Sequence, residues 1–282
     1  MIKKEVRDFN LRHIFECGQC FRWERNTDGS YTVVAGRRVA TLSMDYTNKT
    51  KDAGNLFIDI GDENDFNKFW REYLDLERDY GKIKDRLMQE DSVMREAIPF
   101  GSGIRILRQN PWEATVSFLI SQNNNIPRIK KNISDLSKLL GEPICSYKGK
   151  KYYSLPSSEM LAEATEEMLS PVKLGYRAAY LIKSAKRVVA EGKHVIEEDV
   201  ESLCGVGPKV ANCINLFGLN RIDSFPLDVW IKRTMNELYG LEKTKDMEKF
   251  AADKFGNYAG IAQQYLFYYM REKNKSNTLT KK

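Results

Sequence analysis

Histidine is nearly absent from this 282-residue chain, which has only His13 and His194, and cysteine is scarce and odd in number. Cys17, Cys20, Cys145, Cys204 and Cys213 are too irregularly spaced for a disulfide framework and fit a reducing compartment. Cys17-Gly18-Gln19-Cys20 is a CxxC, but tetrahedral zinc needs a second close ligand pair, and the other cysteines and histidines supply none. A thioredoxin-like role is disfavoured because no βαβ pattern surrounds the motif. No apolar run approaches the roughly 20 residues that span a bilayer, and the N-terminus, Met1 to Asp8, enters charge at once in place of a signal-peptide core. No membrane partner, metal or other cofactor is therefore expected. The chain is read as intracellular, and as cytoplasmic (nucleoid) in a bacterial host. It also lacks a fixed repeat, an exposed heptad and a long apolar stripe, so a solenoid is excluded and a monomer is expected.

What is present is a globular composition, with 42% hydrophobic, 11% aromatic and 30% charged residues. Forty-five Lys and Arg against 39 Asp and Glu give a net charge of +6, which permits binding to a polyanion without requiring it. The first hundred residues mix strand and helix. Cys20 to Arg25 and Tyr31 to Leu42 flank Asp28-Gly29, a hairpin signal, and Leu56 to Ile60 is a further strand. Phe66, Phe69, Trp70, Tyr73 and Leu74 then recur at helical spacing and give the sheet a cover.

From about Asp91 the pattern is helix after helix, broken by Pro and Gly, with Lys151-Tyr152-Tyr153 the one strand candidate. The spacing predicts helices over 111–122, 127–140, 157–166, 177–190, 207–217, 228–239, 246–255 and 260–271. The expected fold class is α+β, with an N-terminal antiparallel sheet domain over residues 1–92. An all-α domain of two helical subdomains with a cleft between them follows over 93–272. Residues 273–282 lose the periodicity and read as a solvated basic tail with no assigned role.

The most informative segment is Leu203-Cys204-Gly205-Val206-Gly207-Pro208-Lys209. Gly205 and Gly207 flank one apolar residue, so a tight turn can bury Val206 and leave backbone N–H groups exposed. With a helix starting near Pro208, those amides make an anion site suited to a DNA phosphate, a helix-hairpin-helix element. Such an element serves binding as well as chemistry. Lys209, in the first helical turn, reads either as a phosphate contact or as a nucleophile whose protonated form the macrodipole disfavours. Asp228 follows 19 positions later in Phe225-Pro226-Leu227-Asp228, where it can cap the next helix, stand beside Lys209, or do both.

The glycine hairpin, the lysine and the Pro-x-Asp resemble the helix-hairpin-helix/Gly-Pro-Asp superfamily of base-excision DNA glycosylases, and within it the eukaryotic-type 8-oxoguanine DNA glycosylase/AP lyases. Four further blocks carry the resemblance: Cys17 to Trp23, Ser121 to Ile129, Leu174 to Ala178 and Ala259 to Gln263. No C-x6-C-x2-C-x5-C follows Asp228, which excludes the iron–sulfur branch.

The resemblance implies a partner, double-stranded DNA containing 8-oxoguanine paired with cytosine, and a role for each matching residue. Lys209 would attack C1′ and form a Schiff base, and Asp228 would assist its deprotonation and stabilise charge on the sugar. Gly18 would offer its carbonyl to N7–H of the damaged base, Cys213 and Phe267 would flank the purine, and Gln263 would bond its edge. Without the resemblance, Cys213 and Phe267 read as ordinary core residues and Asn123 to Asn125 as a helix-ending loop. With it, Asn123 fills the vacated stack, Tyr176 wedges beside it, and Arg128 and Arg177 engage the estranged cytosine. Two departures stand out: Trp230 replaces a histidine that contacts phosphate in the family, and Cys17 replaces the serine before the pocket glycine.

Overall fold

Alternating apolar residues set the first layer. The computed structural model describes residues 1–279 and places five antiparallel strands in the order β1-β5-β4-β3-β2. These are β1 Ile2–Arg7, β2 Trp23–Arg25, β3 Tyr31–Ala35, β4 Arg38–Tyr46 and β5 Ala53–Asp59. Asp28-Gly29 turns β2 into β3, pairing Trp23 with Val33, and the run from Tyr31 splits at Gly36-Arg37 into β3 and β4. Tyr31, Val33, Leu42, Leu56 and Ile58 all face one core, where they meet Phe9, Ile14, Phe15 and Trp70. The aromatic-spaced segment covers this face as a π-helical turn, Phe66–Trp70, followed by Arg71–Tyr73.

A second core holds the helices. It gathers Phe118, Cys213, Phe217, Tyr265 and Leu266, and it includes Tyr80, Ile83 and Leu87 of the helix Tyr80–Glu90. That helix and the next, Ser92–Ala97, bury their apolar faces in the same core on either side of Asp91. Arg105 joins the two parts. Its buried guanidinium donates to the carbonyls of Asp75 and Arg7 at 2.7 Å and of Asp8 at 2.9 Å, and its Cζ lies 4.6 Å from the centre of the Tyr80 ring.

Three expectations change in detail. The helical region contains a hairpin, β6 Pro143–Tyr147 and β7 Lys150–Tyr153, tethered to the first sheet by the Tyr147 hydroxyl, which donates to Asp59 at 2.5 Å. The helix expected over 157–166 ends at Glu163, and Thr165 caps a separate turn, Glu166–Leu169. The last helix, Ala259–Leu279, continues past Arg271, so residues 273–279 are helical where a solvated tail was expected. No Gly or Pro interrupts that stretch, and its residues tolerate helix. Residues 280–282 of the expected tail lie outside the described residues.

The two thiols of the CxxC point apart. Cys17 packs in the helical core and Cys20 in the sheet core, and burial pushes the Cys17 thiol up to about 11. All five cysteines are free.

Candidate active site

Leu203 to Lys209 folds as a turn feeding a helix. Gly205 has φ +81°, a left-handed conformation that costs a residue with a side chain roughly 1–2 kcal/mol, and a Cβ there would run into the Tyr180 ring. The Val206 N–H closes the turn on the Leu203 carbonyl at 3.1 Å, and its side chain is buried. Gly207 caps the helix Pro208–Phe217 with no side-chain bond, and Pro208 takes the first position, where an N–H is not needed. The first-turn amides of Lys209 and Val210 have no intrahelical acceptor, as at any helix start.

Lys209 is half-buried, with Nζ 5.8 Å from the Phe118 ring. One turn further on, Cys213 is buried. Burial pushes its thiol up; the Lys209 charge and hydrogen bond oppose this, and the Asp228 carboxylate adds to it. All three groups therefore share one electrostatic neighbourhood. Asp228 reaches it as a cap: its Oδ1 accepts from the Ile231 N–H at 2.7 Å and starts the helix Val229–Tyr239. The loop between is pinned where the Arg221 N–H donates to Asn215 O at 2.9 Å and the Gly260 N–H to Ile222 O at 2.8 Å.

Gly18, at φ +87°, lies against Phe267, whose Cε1 would be 3.8 Å from a Cβ at that position. Gln19 fixes the loop. Its fully buried amide donates to Ile14 O at 2.9 Å and to Arg105 O at 2.8 Å, and accepts from the Leu107 N–H at 2.8 Å. Sequence reasoning gave Gln19 no role, since those partners lie up to 88 residues away. Gln263 is buried and engaged at both ends: Nε2 donates to the Pro226 carbonyl at 3.1 Å and Oε1 accepts from Gln264 at 2.7 Å.

A second group gathers around Asn123. That residue is exposed at φ +45° and donates from Nδ2 to the Tyr176 hydroxyl at 3.3 Å. Arg177 is buried, with four hydrogen bonds on a guanidinium that has five N–H donors. Two go to the Gln122 carbonyl, one from Nε at 2.9 Å and one from Nη2; the others reach Asn123 O at 3.0 Å and Leu174 O at 3.1 Å. Arg177 thus shapes the Asn123 loop from beneath. Arg128 sits apart in the first turn of the helix Ile126–Leu140, exposed, and its side chain has no partner among the described residues. Trp230 is also exposed, with the Arg233 guanidinium 5.8 Å from its ring. Tyr180, beneath Gly205, is a further site residue that sequence reasoning missed; its signal was the spacing of four from Tyr176, whose ring meets it edge-on at 5.3 Å.

A lysine at the head of a helix-hairpin-helix, an aspartate-capped helix that shares its neighbourhood around Cys213, and a sheet domain whose Gly18 loop meets Phe267 form the arrangement that the resemblance implies for a base-excision DNA glycosylase. Residues 1–115 match the family model described as 8-oxoguanine DNA glycosylase, N-terminal domain, and residues 116–255 that of HhH-GPD superfamily base excision DNA repair protein. The chain is 43% identical to MBOgg1, solved with a low-affinity DNA ligand, over 97% of this chain and 100% of that one at a TM-score of 0.89. It is 38% identical to the Clostridium acetobutylicum 8-oxoguanine glycosylase/lyase, solved with double-stranded DNA containing cytosine opposite 8-oxoG, over 97% and 99% of the two chains at a TM-score of 0.87. The N-glycosylase/DNA lyase of Saccharomyces cerevisiae is 29% identical over 91% of this chain and 82% of its own length. The chain belongs to the 8-oxoguanine DNA glycosylase family and is a bifunctional DNA glycosylase and lyase.

Proposed function

We propose that this enzyme excises 8-oxoguanine paired with cytosine from double-stranded DNA and then nicks the abasic strand, with Lys209 as the nucleophile. The observation that carries the reading is the convergence of Lys209, Cys213 and Asp228 at the end of the Gly205-Val206-Gly207 hairpin. The hairpin amides hold a phosphate and bring the strand to the lysine. The neutral Lys209 amine attacks C1′, and the base leaves with the electron pair of the glycosidic bond and takes up a proton. The bonded nitrogen gives up a proton, and its lone pair then opens the sugar by expelling O4′, which takes up a proton, and leaves an iminium. Removal of a C2′ proton expels the 3′ phosphate. Asp228, held rigid by its cap, stabilises the positive charge on the sugar as C1′ loses the base.

In the same reading the extruded base lies between Phe267 and Cys213, with the Gly18 carbonyl accepting from N7–H. Ordinary guanine carries an acceptor at N7, so two acceptors would face each other, a difference of roughly 1–3 kcal/mol. Gln263 reads the base edge by exchanging its present partners, the Pro226 carbonyl and Gln264, for the base. On the other strand Asn123 fills the gap, Tyr176 wedges beside it, and Arg128 is free to meet the cytosine. Arg177 acts there through the loop that it supports and through its remaining N–H.

The test is borohydride trapping and strand cleavage on a duplex with one 8-oxoguanine opposite cytosine, beside undamaged guanine, 3-methyladenine and an abasic site. Wild type should trap on 8-oxoguanine, and Lys209→Gln should lose trapping and base release while still binding the lesion. Equal loss of binding would make Lys209 a phosphate anchor; trapping on the abasic site alone would discard the base assignment.

A further inference from the structure

Away from Lys209, the helix Ile126–Leu140 and strands β2, β3 and β7 enclose a cleft of about 270 Å³. Its walls are aromatic and its rim is cationic. Trp23 and Tyr152 line it, and the Lys130 ammonium lies 3.4 Å from the centre of the Trp23 ring. Of the lysines around it, Lys131 is paired with Asp135 at 2.6 Å and Lys150 with Glu24, but Lys130, Lys138 and Lys151 have no ion pair among the described residues. Ser137 lines the cleft as well; it is 5% exposed, and its hydroxyl has no hydrogen-bond partner among the described residues.

These features call for a particular occupant. The Trp23 ring can stack a planar base once the Lys130 ammonium that lies over it turns to a phosphate, and ammonium groups without an ion pair neutralise that phosphate. A volume just below the roughly 300–1,000 Å³ of small-molecule sites admits one nucleotide and excludes a duplex. We propose that this cleft binds a single nucleotide, its base on Trp23 and its phosphate among Lys130, Lys138 and Lys151. Half-burial lowers the Lys130 ammonium from its usual range, and an anion beside it would restore what desolvation removes. A free mononucleotide and an unpaired nucleotide at a strand end offer the same chemistry. The cleft shares no residue with the Lys209 site, so the proposal does not rest on the catalytic reading.

The full chain titrated with GMP by calorimetry provides the test, with guanosine and inorganic phosphate as controls. A second arm compares an undamaged duplex with and without a short single-stranded overhang. GMP should bind more tightly than either control, or the overhang should add affinity; the first result assigns a free nucleotide and the second a strand end. Lys138→Glu/Lys151→Glu, at two exposed positions, should weaken that binding by about tenfold or more and leave excision on a blunt duplex unchanged. Trp23→Leu, checked for folding by its melting curve, should weaken GMP as well. The proposal is overturned if neither probe responds to the charge reversals, or if phosphate alone matches GMP. It is equally overturned if GMP binding survives those reversals but disappears in Lys209→Gln, which would place the nucleotide in the base pocket.

Discussion

Asp228 combines a structural duty with a proposed chemical one, and two substitutions separate them. The carboxylate accepts from the Ile231 N–H at 2.7 Å and caps the helix Val229–Tyr239. Asparagine caps about as well as aspartate, so Asp228→Asn should keep the helix start within about 0.5 kcal/mol of wild type, whereas Asp228→Ala should lose about 1 kcal/mol. For a chain of this size that loss lowers the melting temperature by roughly 2–4 °C. Excision should behave differently. Both variants remove the negative charge proposed to face the sugar, and loss of one such preorganised electrostatic contact typically costs about 10²–10³ in rate. Single-turnover excision of 8-oxoguanine opposite cytosine, run beside thermal melts of the same preparations, reads both quantities. A melt for Asp228→Asn as low as that of Asp228→Ala would refute the cap argument, and an excision rate for Asp228→Asn within tenfold of wild type would refute the electrostatic one.

Three further predictions follow from the supporting structure. Gln19→Leu strands the Leu107 N–H and the Arg105 carbonyl in the core, while the Ile14 carbonyl keeps the Cys17 thiol, and at about 1–3 kcal/mol for each buried unpaired group it should cost at least about 2 kcal/mol in urea unfolding; a loss under about 1 kcal/mol would mean that water replaces the amide. Gly205→Ala should lose roughly 1–2 kcal/mol from its positive φ alone and weaken binding to an undamaged duplex, and pairing it with Tyr180→Ala should relieve the ring clash but leave the backbone cost. His13 is held neutral, chiefly by burial and then by Arg12, with its pKa lowered from 6.5 to about 4, while its Nδ1 accepts from the Gly103 N–H at 3.2 Å. The unfolded chain therefore binds the extra proton first as pH falls. Stability present at pH 7 should decline by about 2 kcal/mol at pH 5 and by roughly 3 kcal/mol below pH 4, and His13→Gln should flatten that slope.

The parts legible in the sequence are those where the backbone itself is constrained. Gly205 and Gly207 around Val206, Pro208 at a first helical position and Asp228 at a cap each carry a local reason that no distant contact has to supply. The Asp28-Gly29 hairpin is of the same kind. Strand β1 escaped notice because its pairing is remote, Ile2 with Ile58, and because its inward side reads Ile2, Lys4, Val6. Lys4 breaks the apolar alternation, yet its ammonium pairs with Glu63 and lies 4.8 Å from the Phe66 ring. An amphipathic stem can occupy a half-buried position that a hydropathy pattern scores as solvent.

The same distinction separates the residues proposed to touch DNA from those that hold them in place. Gly18 stands out in a sequence as a glycine in a loop, but that loop is held by Gln19, whose partners come from 86 and 88 residues further along the chain. Arg177 invited a reading as a cytosine contact because arginine suits a base edge, yet four of its hydrogen bonds serve the backbone of residues 122, 123 and 174. Arg128 has the complementary profile, exposed and with a side chain that has no partner among the described residues. Under the proposed function the two arginines divide by burial: Arg128 would supply donors to the cytosine, and Arg177, with one N–H left over, holds the loop that carries Asn123. A lysine at position 177 offers three donors from a single nitrogen and cannot span carbonyls on both sides of the loop, so the guanidinium is required there by geometry even before any base is read.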